Sequence, residues 1–260
     1  MSDEFYIGWQ ANSPPAIGFS VRRAVIVLLA LAVGLGVLLP LAQRTIGLSV
    51  FEWGKVKEFS GILKSEPYPH LLIRRPGTNA ESLAFSSYYL VKPFKFGLDP
   101  EVAQRLDGKQ VRLKGTLIYR GNQTMIEVAD QSIQSLANSI IQPFNDSTSP
   151  VRLGRQTLIG EIVDSKCYLG VMNPGALTPH RACAIRCISG GIPPVLVVRP
   201  TNGPVLYFLL VSADGKPVNK QVLGLVAEPV EITGEVERQG ELLVLRADPV
   251  TYRRVARSCF

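Results

Sequence analysis

Two separated stretches of this chain repeat at one constant offset, and that repeat limits the fold more than any composition does. Tyr88-Tyr-Leu-Val91 matches Tyr207-Phe-Leu-Leu210, and Val111-Arg-Leu-Lys-Gly115 matches Val230-Glu-Ile-Thr-Gly234, both shifted by 119 positions. Upstream, Pro69-His-Leu-Leu-Ile-Arg-Arg-Pro76 resembles Pro194-Val-Leu-Val-Val-Arg-Pro200 at a shift of 124, and Gly61-Ile-Leu resembles Gly160-Glu-Ile at a shift of 99. The chain therefore reads as one structural unit used twice. The shift rises by about 25 residues between the Gly61/Gly160 match and the Pro69/Pro194 match, so the second copy carries an insertion.

Each copy alternates short β-type runs with Gly, Pro and Asn/Asp breaks. Val111 to Arg120, then Gly121-Asn122, then Gln123 to Val128 is the pattern of two strands joined by a tight turn. Its counterpart runs from Val230 through Arg238-Gln-Gly240 to Arg246. Apolar and charged residues alternate, which puts one face in a core and the other in water. Gly115 and Gly234 interrupt the first strand of each hairpin, where a small barrel bends sharply. Five strands with this hairpin and interior glycine resemble the OB-fold, a small Greek-key barrel. The expectation is a mainly β protein with two OB-like barrels, residues 51–130 and 158–255. Residues 131–157 are expected to form a short helix and a linker, and Asp99 to Gly108 the helix or loop before the fourth strand.

Ahead of the barrels, no charge occurs from Ala24 to Gln43, a length that crosses a bilayer core of about 30 Å as a helix. Asp3 and Glu4 in a long preceding segment, and Pro40 near any cleavage point, favour an uncleaved anchor over a signal peptide. Arg22 and Arg23 precede the run and Arg44 follows it, which orients residues 1–23 to the cytoplasm and the barrels to the far side. In a bacterial inner membrane that side is the periplasm, an oxidising compartment. The net charge of +7 has no dense block as its source. The nearest is Tyr252-Arg-Arg-Val-Ala-Arg-Ser-Cys-Phe260, a solvated tail able to meet lipid headgroups or an acidic partner.

The chain has only four cysteines and two histidines, and three of the cysteines and one histidine lie in the insertion, about residues 167–191. Thr178 as N-cap, Pro179 at the first helical position and Gly190 or Gly191 as the stop mark a short helix. At about 100° per residue, His180, Cys183 and Cys187 share one face, and Cys167 at the preceding strand end folds back towards it. Cys167, His180, Cys183 and Cys187 form a Cys3His set suited to zinc, copper or an iron–sulfur centre. His180 and Cys187 are about 10 Å apart along a regular helix, which strains a single ion that must reach both. The competing reading is disulfides among Cys167, Cys183, Cys187 and Cys259. Helical positions four apart hold their Cβ atoms about 5–6 Å apart, so Cys183 and Cys187 would pair elsewhere. An exchangeable redox thiol is the third. Asp164 beside Ser165 and Lys166 reads as a turn residue or as a group orienting a ligand. Met172 reads as a core or loop residue, and His70 as structural or exposed.

Haem attachment, a phosphate-binding loop and a nucleophile elbow are all missing as motifs, and no catalytic residue stands out. The sequence points to an anchored, non-enzymatic binding or accessory protein of a membrane complex, such as a redox or respiratory one, stabilised by disulfides or binding a metal. The alternatives are a thiol-redox or metal-transfer protein and a single-strand nucleic-acid binder using Arg74, Arg75, Tyr88, Tyr89, Phe94, Phe96 and Tyr119. A periplasmic location would put nucleic acid out of reach.

Overall fold

A computed structural model describes residues 14–43, 49–75, 85–136 and 150–256. Helix α1 spans Pro15–Gln43, longer than the uncharged run because Pro15 to Arg23 continue it, with Pro40 inside its last turn. Its segment Ile17–Leu41 has a mean hydropathy of 2.8 and is long and apolar enough to span a membrane. It forms one compact unit, and the residues from Leu48 onward form another.

In the second unit the strands are β1 (Ser49–Phe51), β2 (Lys57–Lys64), β3 (His70–Arg74), β4 (Phe85–Val91), β5 (Gln110–Arg120), β6 (Gln123–Val128) and β7 (Gln134–Ser135). After them come β8 (Val151–Asp164), β9 (Pro194–Val198), β10 (Leu206–Val211), β11 (Pro229–Gln239), β12 (Leu242–Arg246) and β13 (Arg253–Arg254). Helix α2 (Pro100–Arg105) precedes β5, and helix α3 (Leu177–Ser189) lies between β8 and β9. The strands close in the order β2-β3-β4-β6-β5 back to β2, and β8-β9-β10-β12-β11 back to β8. In each ring the third and fifth strands run parallel (β4 with β6, β10 with β12) and all other neighbours are antiparallel. That is the OB-fold connectivity, twice over. Strands β5 and β11 have the same length and lie at the offset read from the sequence. Gly115 and Gly234 do the same work in each: a Cβ there would collide with the carbonyl of Glu127 or of Arg246 on the next strand.

Two expectations change. Strand β8 starts at Val151, so 151–157 is strand and not linker. This half of β8 is an exposed ribbon paired with β11, and its arginines and short apolar residues hide the alternation that marks a buried strand. The expected helix after Gln131 is, in its described part, strand β7 paired with β5, and residues 137–149 lie outside the described residues.

The interior of the first barrel is built from Leu63, Leu71, Leu90, Val111, Leu113 and Ile126, and that of the second from Ile162, Leu196, Phe208, Leu210, Val230 and Ile232. A third core lies between the barrels. There Tyr89, Val91, Ile118 and Met125 from outside the first meet Val195, Val197, Leu209, Val211 and Val244 from outside the second. Strands β4 and β10 are thus buried on both faces, which explains their unbroken apolar runs. The Tyr68 hydroxyl crosses the seam, donating to the Leu210 carbonyl at 3.3 Å and accepting from the Val218 N–H at 3.1 Å.

Candidate metal and thiol site in the seam

Strands β2 and β3 are joined by residues 65–69, whereas β8 and β9 are joined by residues 165–193, which hold the cysteines and α3. The insertion therefore occupies the loop between the first and second strands of an OB barrel, one of the positions where this fold places ligands. After β8 the chain makes a tight helical turn, Cys167–Val171, whose Tyr168 packs edge-on to Tyr207 at 5.3 Å and lies beneath the Arg120 guanidinium at 4.2 Å. Helix α3 begins two residues earlier than a Thr178 cap would place it, with Ala176 as its N-cap. Its first residue, Leu177, has a left-handed backbone (φ 67) and donates its N–H to the buried carboxylate of Glu161, which takes the place of a side-chain N-cap. Gly190 ends the helix as expected, and Asn219 holds that end through the carbonyls of Ile188 and Ile192.

This folding gathers Cys167, Cys183 and Cys187, all free thiols. Cys167 Sγ is 3.9 Å from Cys183 Sγ and 3.9 Å from Cys187 Sγ. Cys167 and Cys187 belong to the core between the barrels, and Cys183 packs half-buried against it. His180 is buried beside them, and its Nε2 lies 2.9 Å from Asp164 Oδ2. Asp164 is fully buried, and its other oxygen accepts the Cys167 N–H at 2.8 Å. It forms the turn and orients the histidine at once, combining the two roles read from the sequence. Two sets of close donor atoms result: Cys167, His180 and Cys183, and Asp164, Cys167 and Cys187. Neither contains both His180 and Cys187, in keeping with their separation along the helix. Cys259 lies outside the described residues.

Sequence reasoning missed the cation. Lys95, on the first barrel's loop after β4, donates from Nζ to Cys183 Sγ at 2.7 Å and lies 4.0 Å from Cys187 Sγ. That loop is fixed by Lys166, fully buried, whose Nζ reaches the carbonyls of Lys92 (2.8 Å) and Phe94 (2.7 Å) and the Glu127 carboxylate at 2.5 Å. Gly97 N–H donates to the Gly190 carbonyl at 2.9 Å, and a Cβ on Gly190 would run into the Lys95 carbonyl. Phe94 is left-handed (φ 62) and exposed, a conformation that a bulky side chain adopts only where its surroundings impose it. The one legible signal was Lys166 itself, a lysine in the apolar stretch after β8.

The Cys167–Cys187 hydrogen bond is the main influence on both thiols. It lowers Cys187 below the ordinary thiol range with help from Lys95, and raises Cys167, which burial and Asp164 push further up. The hydrogen bond to Cys183 holds the Lys95 ammonium above its usual range. His70, by contrast, bonds the Tyr68 carbonyl at 2.9 Å and packs on Tyr89, and burial lowers its pKa. Met172 is an exposed loop residue.

No family profile matches the chain, and no curated protein is similar to it. Among solved structures, the wild-type single-stranded DNA binding protein from Thermus aquaticus matches at 13% identity over 80% of this chain and 86% of that chain, with a TM-score of 0.24. The OB assignment rests on strand order and direction, and the site on its own geometry.

Proposed function

We propose that this protein is a membrane-anchored periplasmic binding protein whose second barrel holds one soft metal ion, zinc or cuprous copper, through Cys167, His180 and Cys183, with Cys187 within reach of a fourth position. The convergence of three thiols and an oriented imidazole in one buried seam carries this reading. A tetrahedral zinc with Zn–S bonds of about 2.3 Å spaces its sulfurs about 3.8 Å apart, against 3.9 Å here. The Asp164–His180 bond is the carboxylate–histidine pair that commonly orients an imidazole on a metal, and it leaves Nδ1 to meet the ion. Zinc with three thiolates carries one net negative charge, and the Lys95 ammonium offsets it. The disulfide alternative would need a bond in place of the 3.9 Å separations, and would leave Asp164, His180 and Lys95 without a shared purpose.

The apolar α1 supports the anchor, and the arginine pair before it supports the periplasmic side. Nucleic acid is disfavoured as a ligand because the outer face of β9 and β10, where OB barrels bind oligonucleotides, is covered by the first barrel, and Tyr89 is buried there. The apolar α1 also supports the part of this reading that puts the protein within a larger membrane complex. Zinc competition against a chromophoric chelator is the test. One ion per chain, lost in Cys183→Ser and His180→Ala, is expected, and equal binding by wild type and variants would overturn the reading. A topology reporter fused after Phe260 checks the side of the membrane, with periplasmic activity expected.

A further inference from the structure

We propose that Cys183, in the metal-free site, is a hydroperoxide-reactive thiol with Cys167 as its resolving partner and Lys95 as the cation that serves it. The inference rests on the metal reading in one respect: the ion, when bound, occupies the same sulfurs and protects them. Three observations carry it. Of the three thiols in the seam, Cys167 and Cys187 are buried at 3% and 1% exposure, whereas Cys183 is half-buried and is the one a small oxidant meets first. Its sulfur is the one in direct contact with an ammonium, at 2.7 Å, and reactive cysteines sit in such partly exposed, electropositive surroundings. Cys167, whose sulfur lies 3.9 Å from that of Cys183, is sheltered from solvent, the disposition of a resolving thiol.

The cation is not there by chance of a surface side chain. Lys95 comes from the other barrel, on a loop held by two hydrogen bonds from buried Lys166, by the Gly97–Gly190 contact, and in the left-handed conformation of Phe94 next to it. Strain of this kind concentrates at functional sites, where the surroundings over-determine it.

Cys183 Sγ attacks the terminal oxygen of a hydroperoxide, ROOH, and its thiol proton passes to solvent. The S–O bond forms, the O–O bond breaks, and the departing alkoxide takes a proton from the Lys95 ammonium to leave as ROH. Lys95 regains its proton from solvent. The Cys167 thiol then attacks the Cys183 sulfenic acid, forming the Cys167–Cys183 disulfide and releasing water. A dithiol reductant returns both to thiols by exchange.

The test uses the full chain in detergent micelles, freed of metal by a chelator and treated with one equivalent of hydrogen peroxide. Two thiols should disappear per peroxide consumed, and digestion without reductant should yield a peptide joining Cys167 to Cys183. Cys167→Ser should accumulate a sulfenic acid on Cys183 that a 1,3-dione reagent traps. Lys95→Met should slow oxidation about tenfold, with Lys95→Arg restoring most of the rate. Oxidation of Cys183 at the rate of free cysteine, an unchanged rate in Lys95→Met, or first labelling of Cys187 would overturn the proposal. Zinc binding measured on the same preparations separates the two readings. A chain that binds zinc but oxidises slowly keeps the metal and overturns the peroxide chemistry, whereas one that oxidises fast and holds no zinc upholds the chemistry and overturns the metal.

Discussion

Replacing Lys166 with methionine should be among the most damaging single changes outside the barrel interiors. The side chain is 1% exposed, and its ammonium has three partners: the Lys92 and Phe94 carbonyls and the Glu127 carboxylate, itself 14% exposed. Methionine keeps the volume and removes the charge, leaving Glu127 as an unpaired, nearly buried carboxylate. Breaking a buried pair from one side costs about 3–5 kcal/mol, a large share of a typical folding stability of roughly 5–15 kcal/mol. At a urea dependence of about 2 kcal/mol per M, the unfolding midpoint should fall by about 2 M. Urea titration of the full chain in micelles, followed by tyrosine and tryptophan fluorescence, measures this. Lys166→Met with Glu127→Leu removes both charges together and should recover most of the loss, because an apolar pair of similar size is often as stable as the buried ion pair. A Lys166→Met variant destabilised by less than about 1 kcal/mol, or a double variant as unstable as the single one, would refute the view that this lysine holds the barrels and the Lys95 loop in place.

Asp164→Asn should weaken zinc binding by about 10- to 100-fold while leaving the fold intact, as read by chelator competition and circular dichroism, because the amide loses the charge that orients His180. Gly190→Ala should displace the 92–97 loop, since a Cβ there meets the Lys95 carbonyl; slower peroxide oxidation of Cys183 in the metal-free protein than in wild type, as in Lys95→Met, is the expected sign. Zinc affinity should rise with pH. Cys167 is held above the ordinary thiol range and stays protonated near neutrality, so the ion must displace its proton, and each proton released makes binding about tenfold tighter per pH unit. Isothermal titration in buffers of different ionisation enthalpy counts that proton.

The barrels were legible because their hairpins carry short-range signals: the turn at Gly121-Asn122, the alternation of β5 and β11, and one offset shared by both. The insertion was legible for the same reason, as a break in that offset. Its address in the seam was not. Tyr88-Tyr-Leu-Val91 and Phe208-Leu-Leu-Val211 are apolar at consecutive positions, which marks strands buried on both sides, but nothing local says that each is the other's cover. Lys95 and Cys183 lie 88 residues apart, and Lys95 is one of many lysines in a basic chain, so the pairing exists only after the barrels dock. The start of β8 was hidden because an exposed ribbon has no apolar face to read. At the site, the shared helix face of His180, Cys183 and Cys187 followed from spacing alone, whereas the start of α3 depended on Glu161, a carboxylate from another strand.

The most direct test of the account is elemental analysis of the purified full chain, grown with zinc and copper available, beside a Cys183→Ser, Cys187→Ser variant. One metal ion per chain in the wild type, with absorption fine structure showing sulfur near 2.3 Å and nitrogen near 2.0 Å, and loss of the ion in the variant, is the expected result. Equal metal content in the two proteins would contradict a metal held in the seam between the barrels.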